Sequence, residues 1–250
     1  IVGMTLSEVY SASFLMINFW RKFRRRGRRD AEVPGLRQEF TGILLPAAGT
    51  SVISNMFSSV GTILFPARLV VAGFTRSAAV AALGIIAGMA APLMQLPICV
   101  IASLSTLMLP SIAGARAAGD ESSVRRRIKK ALLFTAFIAL PVTAVLLPFV
   151  PKLCLLLFNQ RIGPTLALLL AIHAGITYFQ MVSVSILNGL GEQRRVLAYA
   201  ILGETLQLGL IWLLAAVPEL HVYGYLAGLI ASDLLRLLCN LRRVHVAVFR

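Results

Sequence analysis

Charge is scarce in this chain. Only 34 of 250 residues are Lys, Arg, Asp or Glu, and acids contribute just 10 of them. A soluble domain of this size carries about a quarter charged residues. A disordered, charge-rich chain is excluded, and so is a soluble nucleic-acid binder, although the net charge is +14. Cysteine is equally thin. Cys99, Cys154 and Cys239 are odd in number and far apart, with no C-x-x-C, so neither a disulfide framework nor a zinc site is indicated, and they read as small apolar fillers. Catalytic motifs are missing too. The chain has no H-E-x-x-H, G-x-S-x-G, Walker or G-x-G-x-x-G pattern, and no cofactor-binding or metal-binding signature. An intramembrane enzyme is not expected, and an ATP-driven pump is excluded unless a partner supplies the motor.

What fills the sequence instead is apolar residues, 58% of the total, gathered into long uncharged runs. A membrane-crossing helix needs roughly 20 mostly apolar residues. Seven stretches meet that condition: about 1–20, 40–66, 77–110, 128–150, 164–190, 196–217 and 222–240. No charge occurs between Arg76 and Arg116. One straight helix of that length would be ~58 Å, nearly twice the hydrocarbon thickness, so a re-entrant start, a headgroup cap or a kink near Pro92 and Pro97 is expected. The chain begins at Ile1, which suggests the interior of a larger protein, and its first run is too long for a signal peptide.

The placement of the basic residues supplies a topology. If the end of the first helix is inside and each run crosses once, 20 of the 24 Lys and Arg fall inside and four (Arg68, Arg76, Lys152, Arg161) outside. The expectation is a multi-pass plasma-membrane protein with its N-terminus outside and its C-terminus cytoplasmic. RKFRRRGRR (21–29) then reads as a topology determinant beside anionic headgroups, and not as a nucleic-acid site. The basic stretch 21–37 divides residues 1–20 from 38–250, one helix from six, and short links make the six an antiparallel bundle. Gly84/Gly88 and Gly224/Gly228 form GxxxG pairs suited to close helix packing. Prolines 46, 92, 97, 110, 141 and 148 interrupt the runs, as in transporters with bent helices.

Polar residues inside the runs are the candidate functional groups. Ser51, Asn55, Ser58, Ser59 and Thr62 share one helix face. That stripe faces either a water-filled path that meets a polar headgroup or a neighbouring helix. Gln95, Cys99, Ser103 and Thr106 repeat the pattern thinly, as do His173, Thr177, Gln180 and Asn188, and for both helix–helix bonding is the favoured reading. Glu204 lies nine residues past Arg195, ~13 Å deep, with Gln207 on its face, and is a candidate proton or cation site. Its alternative is a hydrogen-bonded structural glutamate. Asp233 and Arg236 are spaced as an i,i+3 ion pair, and His173 reads as an interior histidine.

The segments GTILFPARLVVAG (61–73), ALGIIAGMAAPL (82–93), Leu96-Pro97, SLSTLMLPSIA (103–113) and AGD (118–120) together resemble the stage V sporulation protein B branch of polysaccharide exporters. LNGLGEQ (187–193) is similar to that family's turn between two second-lobe helices. The branch belongs to the superfamily of multidrug, oligosaccharidyl-lipid and polysaccharide flippases. The resemblance implies an all-α, polytopic helical membrane protein: one six-helix lobe of a MATE-like flippase fold (38–250), an inter-lobe loop (21–37) and the last helix of an absent N-terminal lobe (1–20). It also implies a flippase for lipid-linked cell-wall or polysaccharide precursors that works by alternating access, with membrane lipids and a lipid-linked saccharide as partners. Ser51, Asn55, Ser58, Ser59, Gln95 and Ser103 would line the path. Where lipid II flippases carry cavity arginines, residues 69–115 hold only Arg76. A cation-coupled multidrug antiporter of the same fold and a non-transporting remnant or scaffold are the alternatives.

Overall fold

The structure is a computed structural model that describes residues 10, 11, 13–18, 20, 21, 36–217 and 219–249. The described residues form helices joined by short turns, with no strand among them. By packing, the chain divides into units 1–41 and 42–250. In the first, residues 10, 11, 13–18, 20 and 21 are helical (α1), with Tyr10 stacked on Phe14 one turn later at 6.4 Å. Residues 1–9 of the expected first span, and 22–35 of the basic loop, lie outside the described residues.

The expected runs from residue 40 onward reappear as helices, three of them (over 40–66, 128–150 and 222–240) extended and one broken. They are α2 (Leu36–Val71), α3 (Arg76–Leu83), a π-helical turn (Gly84–Ala90), α4 (Ala91–Met94), α5 (Ile98–Ala117), α6 (Glu121–Phe158), α7 (Pro164–Gly189), α8 (Gln193–Leu214) and α9 (His221–Phe249). Seven of the described segments are long and apolar enough to cross a membrane, counting Arg76–Met94 and Ile98–Ala117 separately. Those two are halves of one broken element. α5 packs on α6 and α7 and does not fold back on the α3–α4 segment. Six elements therefore run back and forth between 36 and 249, as a six-helix lobe requires.

Proline chemistry explains the break. Pro92 and Pro97 lack the N–H that would continue the ladder. The helix widens ahead of Pro92, and the Ala91 N–H reaches five residues back to the Ile86 carbonyl. At Gln95–Pro97 the chain makes a turn, and the Ile98 N–H bonds to the Gln95 carbonyl three residues back, so it is not used by Met94. The buried Tyr178 hydroxyl of α7 donates to the Met94 carbonyl at 2.8 Å. A carbonyl freed in a water-poor interior thus has a partner from the next helix.

Turn chemistry closes the ends. Gly119, at φ +70°, lets the chain reverse after α5. Asp120 then caps α6 through the Ser123 N–H at 2.9 Å, and bonds from Ser123 and Ser122 hold its carboxyl down to about 2. Asn159, in the left-handed region at φ 53°, ends α6.

The core is built of aliphatic and small residues from the six elements, among them Ile101, Ile112, Ile128, Leu170, Ile186, Ile211 and Leu226. The outside is apolar as well: Phe137 is 78% exposed and Ile63 75%. A surface of that kind belongs in lipid, and the protein is a multi-pass membrane protein. The two glycine pairs differ. A Cβ on Gly224 would meet the Leu214 backbone at 2.6 Å and one on Gly228 would meet Ile211, so this pair makes the α8–α9 seam. A Cβ on Gly84 or Gly88 would have open space for 4 Å around it, and both glycines lie in the π-helical turn. Their spacing marks the bend, not a packing face.

Two outcomes test this packing. Gly224→Ala should destabilise by ~1–3 kcal/mol through overpacking, whereas Gly84→Ala should leave thermal unfolding in detergent unchanged or slightly raised. Tyr178→Phe, which leaves the Met94 carbonyl unpaired, should cost ~1–3 kcal/mol in the same measurement.

Candidate functional site: a buried ionic network

Three helices meet where ionisable side chains are least expected. His173, Thr177 and Gln180 fall at i, i+4 and i+7, on one face of α7. α9 faces them with Asp233 and Arg236, and α8 adds Glu204. The His173 Nε2 lies 3.1 Å from Asp233 Oδ2, and the Thr177 hydroxyl donates to the same oxygen at 3.0 Å. The Arg236 guanidinium donates to Asp233 Oδ1 and, at 2.9 Å, to Glu204 Oε1. With its amide turned to suit these neighbours, Gln180 donates to Asp233 at 3.0 Å and accepts from Arg236 Nε at 3.1 Å. Asp233 and Glu204 are both buried. The polar seam extends from Gln207 to Ser232 and from Asn240 to Ser183, at 3.1 and 3.2 Å.

Gly203 makes this possible. A Cβ there would lie 2.4 Å from Arg236 Cγ, so only glycine leaves α8 open for the arginine stem to pass to Glu204. Low dielectric makes both sides of this balance large. Two buried carboxylates sharing one guanidinium are costly unless every lone pair is met, and the threonine and glutamine meet those of Asp233. One guanidinium stands against two carboxylates, with the His173 imidazole beside Asp233. A cleft of about 370 Å³ opens on it, lined by His173, Thr177, Gln180, Asp233 and Arg236 with Met181, Val184 and Leu229.

The Asp233–Arg236 pair and the interior bond of His173 match the sequence reading. Sequence reasoning missed their union with Glu204, because α8 and α9 come together only through the fold. Glu204 is ion-paired and buried, with Gln207 beside it in the seam. The α2 stripe is placed otherwise: Ser51, Asn55, Ser58 and Ser59 are exposed. The Ser59 hydroxyl donates to the Asn55 carbonyl and the Thr62 hydroxyl to that of Ser59. Gln95 is half-buried at the α4–α5 break, while Ser103 is exposed on α5 and bonds back to Cys99. No hydrogen bond or ion pair links Glu204 to these residues among those described. The candidate residues thus fall into two groups, neutral exposed or half-buried ones on α2 and near the α4–α5 break, and the buried ionic network. Among the described residues, no three His, Cys, Asp or Glu side chains converge to hold a metal ion.

α2 itself stands off from the bundle. It makes no close backbone seam with another helix, and side chains bridge the gap instead. Phe65 packs on Tyr225 at 4.3 Å, and Arg68 lies over the Trp212 ring at 4.6 Å while donating to the Trp212 carbonyl at 2.9 Å. At the other end, a second ionic group ties the α7–α8 turn to α9. Glu192 pairs with Arg195 at 3.0 Å and also with Arg243.

Comparison with known proteins agrees with this architecture. Residues 67–184 match the family model of the lipid II flippase MurJ. The sporulation protein YkvU of Bacillus subtilis is 23% identical over 194 residues, which is 78% of this chain and 44% of that protein. Stage V sporulation protein B of the same organism is 24% identical over 233 residues, 91% of this chain and 45% of the relative. The chain therefore spans less than half the length of the curated relatives it matches. A multidrug-resistance MATE family transporter of the MOP superfamily, solved facing outward, superposes with a TM-score of 0.67 at 17% identity, over 88% of this chain and 48% of that one. The chain is thus similar in sequence to these two sporulation proteins and has the fold of half of that transporter.

Removing the shared cation tests the network. Arg236→Leu, which strands two buried carboxylates, should cost ~3–5 kcal/mol in thermal unfolding. Gly203→Leu, which blocks the arginine's path, should move stability in the same direction.

Proposed function

We propose, from the homology to lipid II flippase and sporulation protein B relatives, that this chain is the second lobe of an exporter for lipid-linked cell-wall or polysaccharide precursors. The observation that carries the proposal is the match of residues 67–184 to the lipid II flippase family on a chain that covers one half of a MATE-type fold. In this reading residues 1–20 are the last helix of a first lobe, 21–37 the loop between lobes, and 38–250 the second lobe. The two lobes rock for alternating access in the plasma membrane, and the protein is not an enzyme. Helix directions gather Arg116, Arg125, Arg126, Arg127, Lys129, Lys130, Arg194, Arg195, Arg242 and Arg243 at one end, with Arg68, Arg76, Lys152 and Arg161 at the other. The basic end is cytoplasmic by the positive-inside rule.

Substrate chemistry follows from the open face. A lipid-linked saccharide carries hydroxyls and a charged diphosphate, and its tail stays in lipid. The exposed Ser51, Asn55, Ser58 and Ser59 on α2, with Gln95 and Ser103, offer neutral donors and acceptors to a headgroup moving past. Neutral groups suit passage, because each bond is modest and readily exchanged. The standing-off of α2 keeps this face clear of the bundle.

A second reading, a cation-coupled multidrug antiporter, is favoured by the ionic network alone. There Glu204, held by Arg236 and within one guanidinium of Asp233 and His173, belongs to the coupling centre. Glu204→Gln discriminates: loss of gradient-driven drug resistance with precursor binding intact would select the antiporter.

The test of the leading reading is binding of a lipid-linked saccharide to the protein in its full natural length. Asn55→Ala and Gln95→Ala should each weaken binding roughly 3–10-fold, the worth of about one hydrogen bond, with folding unchanged. Unaltered binding in both would remove these residues from the path.

A further inference from the structure

A second feature, on the exposed apolar surface of α5 and α6, has no part in transport as described. α5 and α6 diverge to leave a groove of about 480 Å³, walled by Leu104 and Met108 of α5 and by Ala131, Leu133, Phe134 and Phe137 of α6. Its lining holds a single charged residue, Lys130. That ammonium is exposed and has no hydrogen-bond or ion-pair partner among the described residues. The acids close to it in sequence are engaged elsewhere, Asp120 as the cap of α6 and Glu121 on Arg116 at 3.1 Å. Arg127, one turn earlier, reaches across to α5 and is taken up by Ser111, whose hydroxyl accepts from it at 2.7 Å. Lys130 is thus a cation left over.

Its depth is fixed by the helix. α6 is uncharged from Ala131 to Pro151, 21 residues between Lys130 and Lys152. That run is ~31 Å long, the thickness of the hydrocarbon core. Lys130 therefore stands at the level of lipid phosphates, and the apolar groove runs from it into the acyl region through Phe134 and Phe137.

We infer that this groove is a binding site for an anionic phospholipid, with the phosphate on Lys130 and an acyl chain along Leu104, Met108, Phe134 and Phe137. Charge complementarity selects the headgroup, since Arg125, Arg126 and Lys129 crowd the same end of α6 and raise the local positive potential. The apolar walls then select a lipid over a free anion. Lys152 provides the contrast: it bounds the same run at the far end, lies over the Phe149 ring at 5.9 Å and is outside this groove.

The test uses the protein in its full natural length, reconstituted in phosphatidylcholine vesicles with a minor fraction of spin-labelled phosphatidylglycerol, and reads the relative association of the two lipids. Lys130→Gln should lower the preference for phosphatidylglycerol about five-fold, the worth of one basic group at the surface. Lys130→Arg should keep it and Lys152→Gln should leave it unchanged. Met108→Trp, which fills the groove without touching the charge, should also lower it. A preference that survives Lys130→Gln, or that falls equally in Lys152→Gln, would overturn the site. The readout is equilibrium lipid association, so it stands whether or not the protein moves lipid-linked precursors.

Discussion

A freed carbonyl or a buried carboxylate within the hydrocarbon is costly unless protein supplies its partner, because there is no water to do so. That constraint governs the break between α4 and α5, the arrangement of α7, α8 and α9, and the contrast between the two groups of polar residues. Where prolines free a carbonyl, a tyrosine from the next helix reaches it. Where carboxylates are buried, a glycine on the neighbouring helix makes room for the arginine that pairs with them. The apolar surface follows from the same rule in reverse: side chains such as Phe137 need no partner and face the lipid.

The functional account rests on the difference between these two groups. The ionic network is buried, its carboxylates and guanidinium bridged to one another across three helices, and such an arrangement fixes how α7, α8 and α9 pack. In the proposed mechanism a rigid trio would serve as the body of a lobe that rocks. The α2 face is open, built from neutral side chains, and joined to the body by a few side-chain contacts. A helix held in that manner can present hydroxyl and amide groups to a passing headgroup without trapping it. In the proposed topology, charge at the ends of the elements sets orientation, and Lys130 is left for the inferred phospholipid.

Much of this was legible in the sequence for a simple reason. Membrane crossing demands length and freedom from charge, and both are visible residue by residue. The runs at 40–66, 164–190 and 196–217 lie close to α2, α7 and α8, and the doubled run after Arg76 breaks at Pro97, between two helical halves. The glycine spacing misled at Gly84 and Gly88, because GxxxG reports the possibility of close approach and the π-helical turn uses the same residues for a bend. The stripe from Ser51 was readable from period alone, but which neighbour it met was not. The ionic network was the least legible part. His173, Glu204 and Asp233 are far apart in the chain, and their pairing depends on the lateral order of helices, which hydropathy does not encode. The role of Gly203 was hidden for the same reason, since its use is to be absent where Arg236 passes.

Lipid-linked precursors and cationic drugs differ in what they ask of such a lobe: a headgroup drags a tail that stays in the bilayer, whereas a drug crosses whole. The decisive measurement is transport by the protein in its full natural length in liposomes, supplied in separate arms with a fluorescent lipid-linked saccharide diphosphate and with a cationic dye under a proton or sodium gradient. The account predicts translocation of the saccharide lipid between leaflets, and no gradient-driven extrusion of the dye. Dye extrusion with the saccharide lipid left in its original leaflet would contradict it.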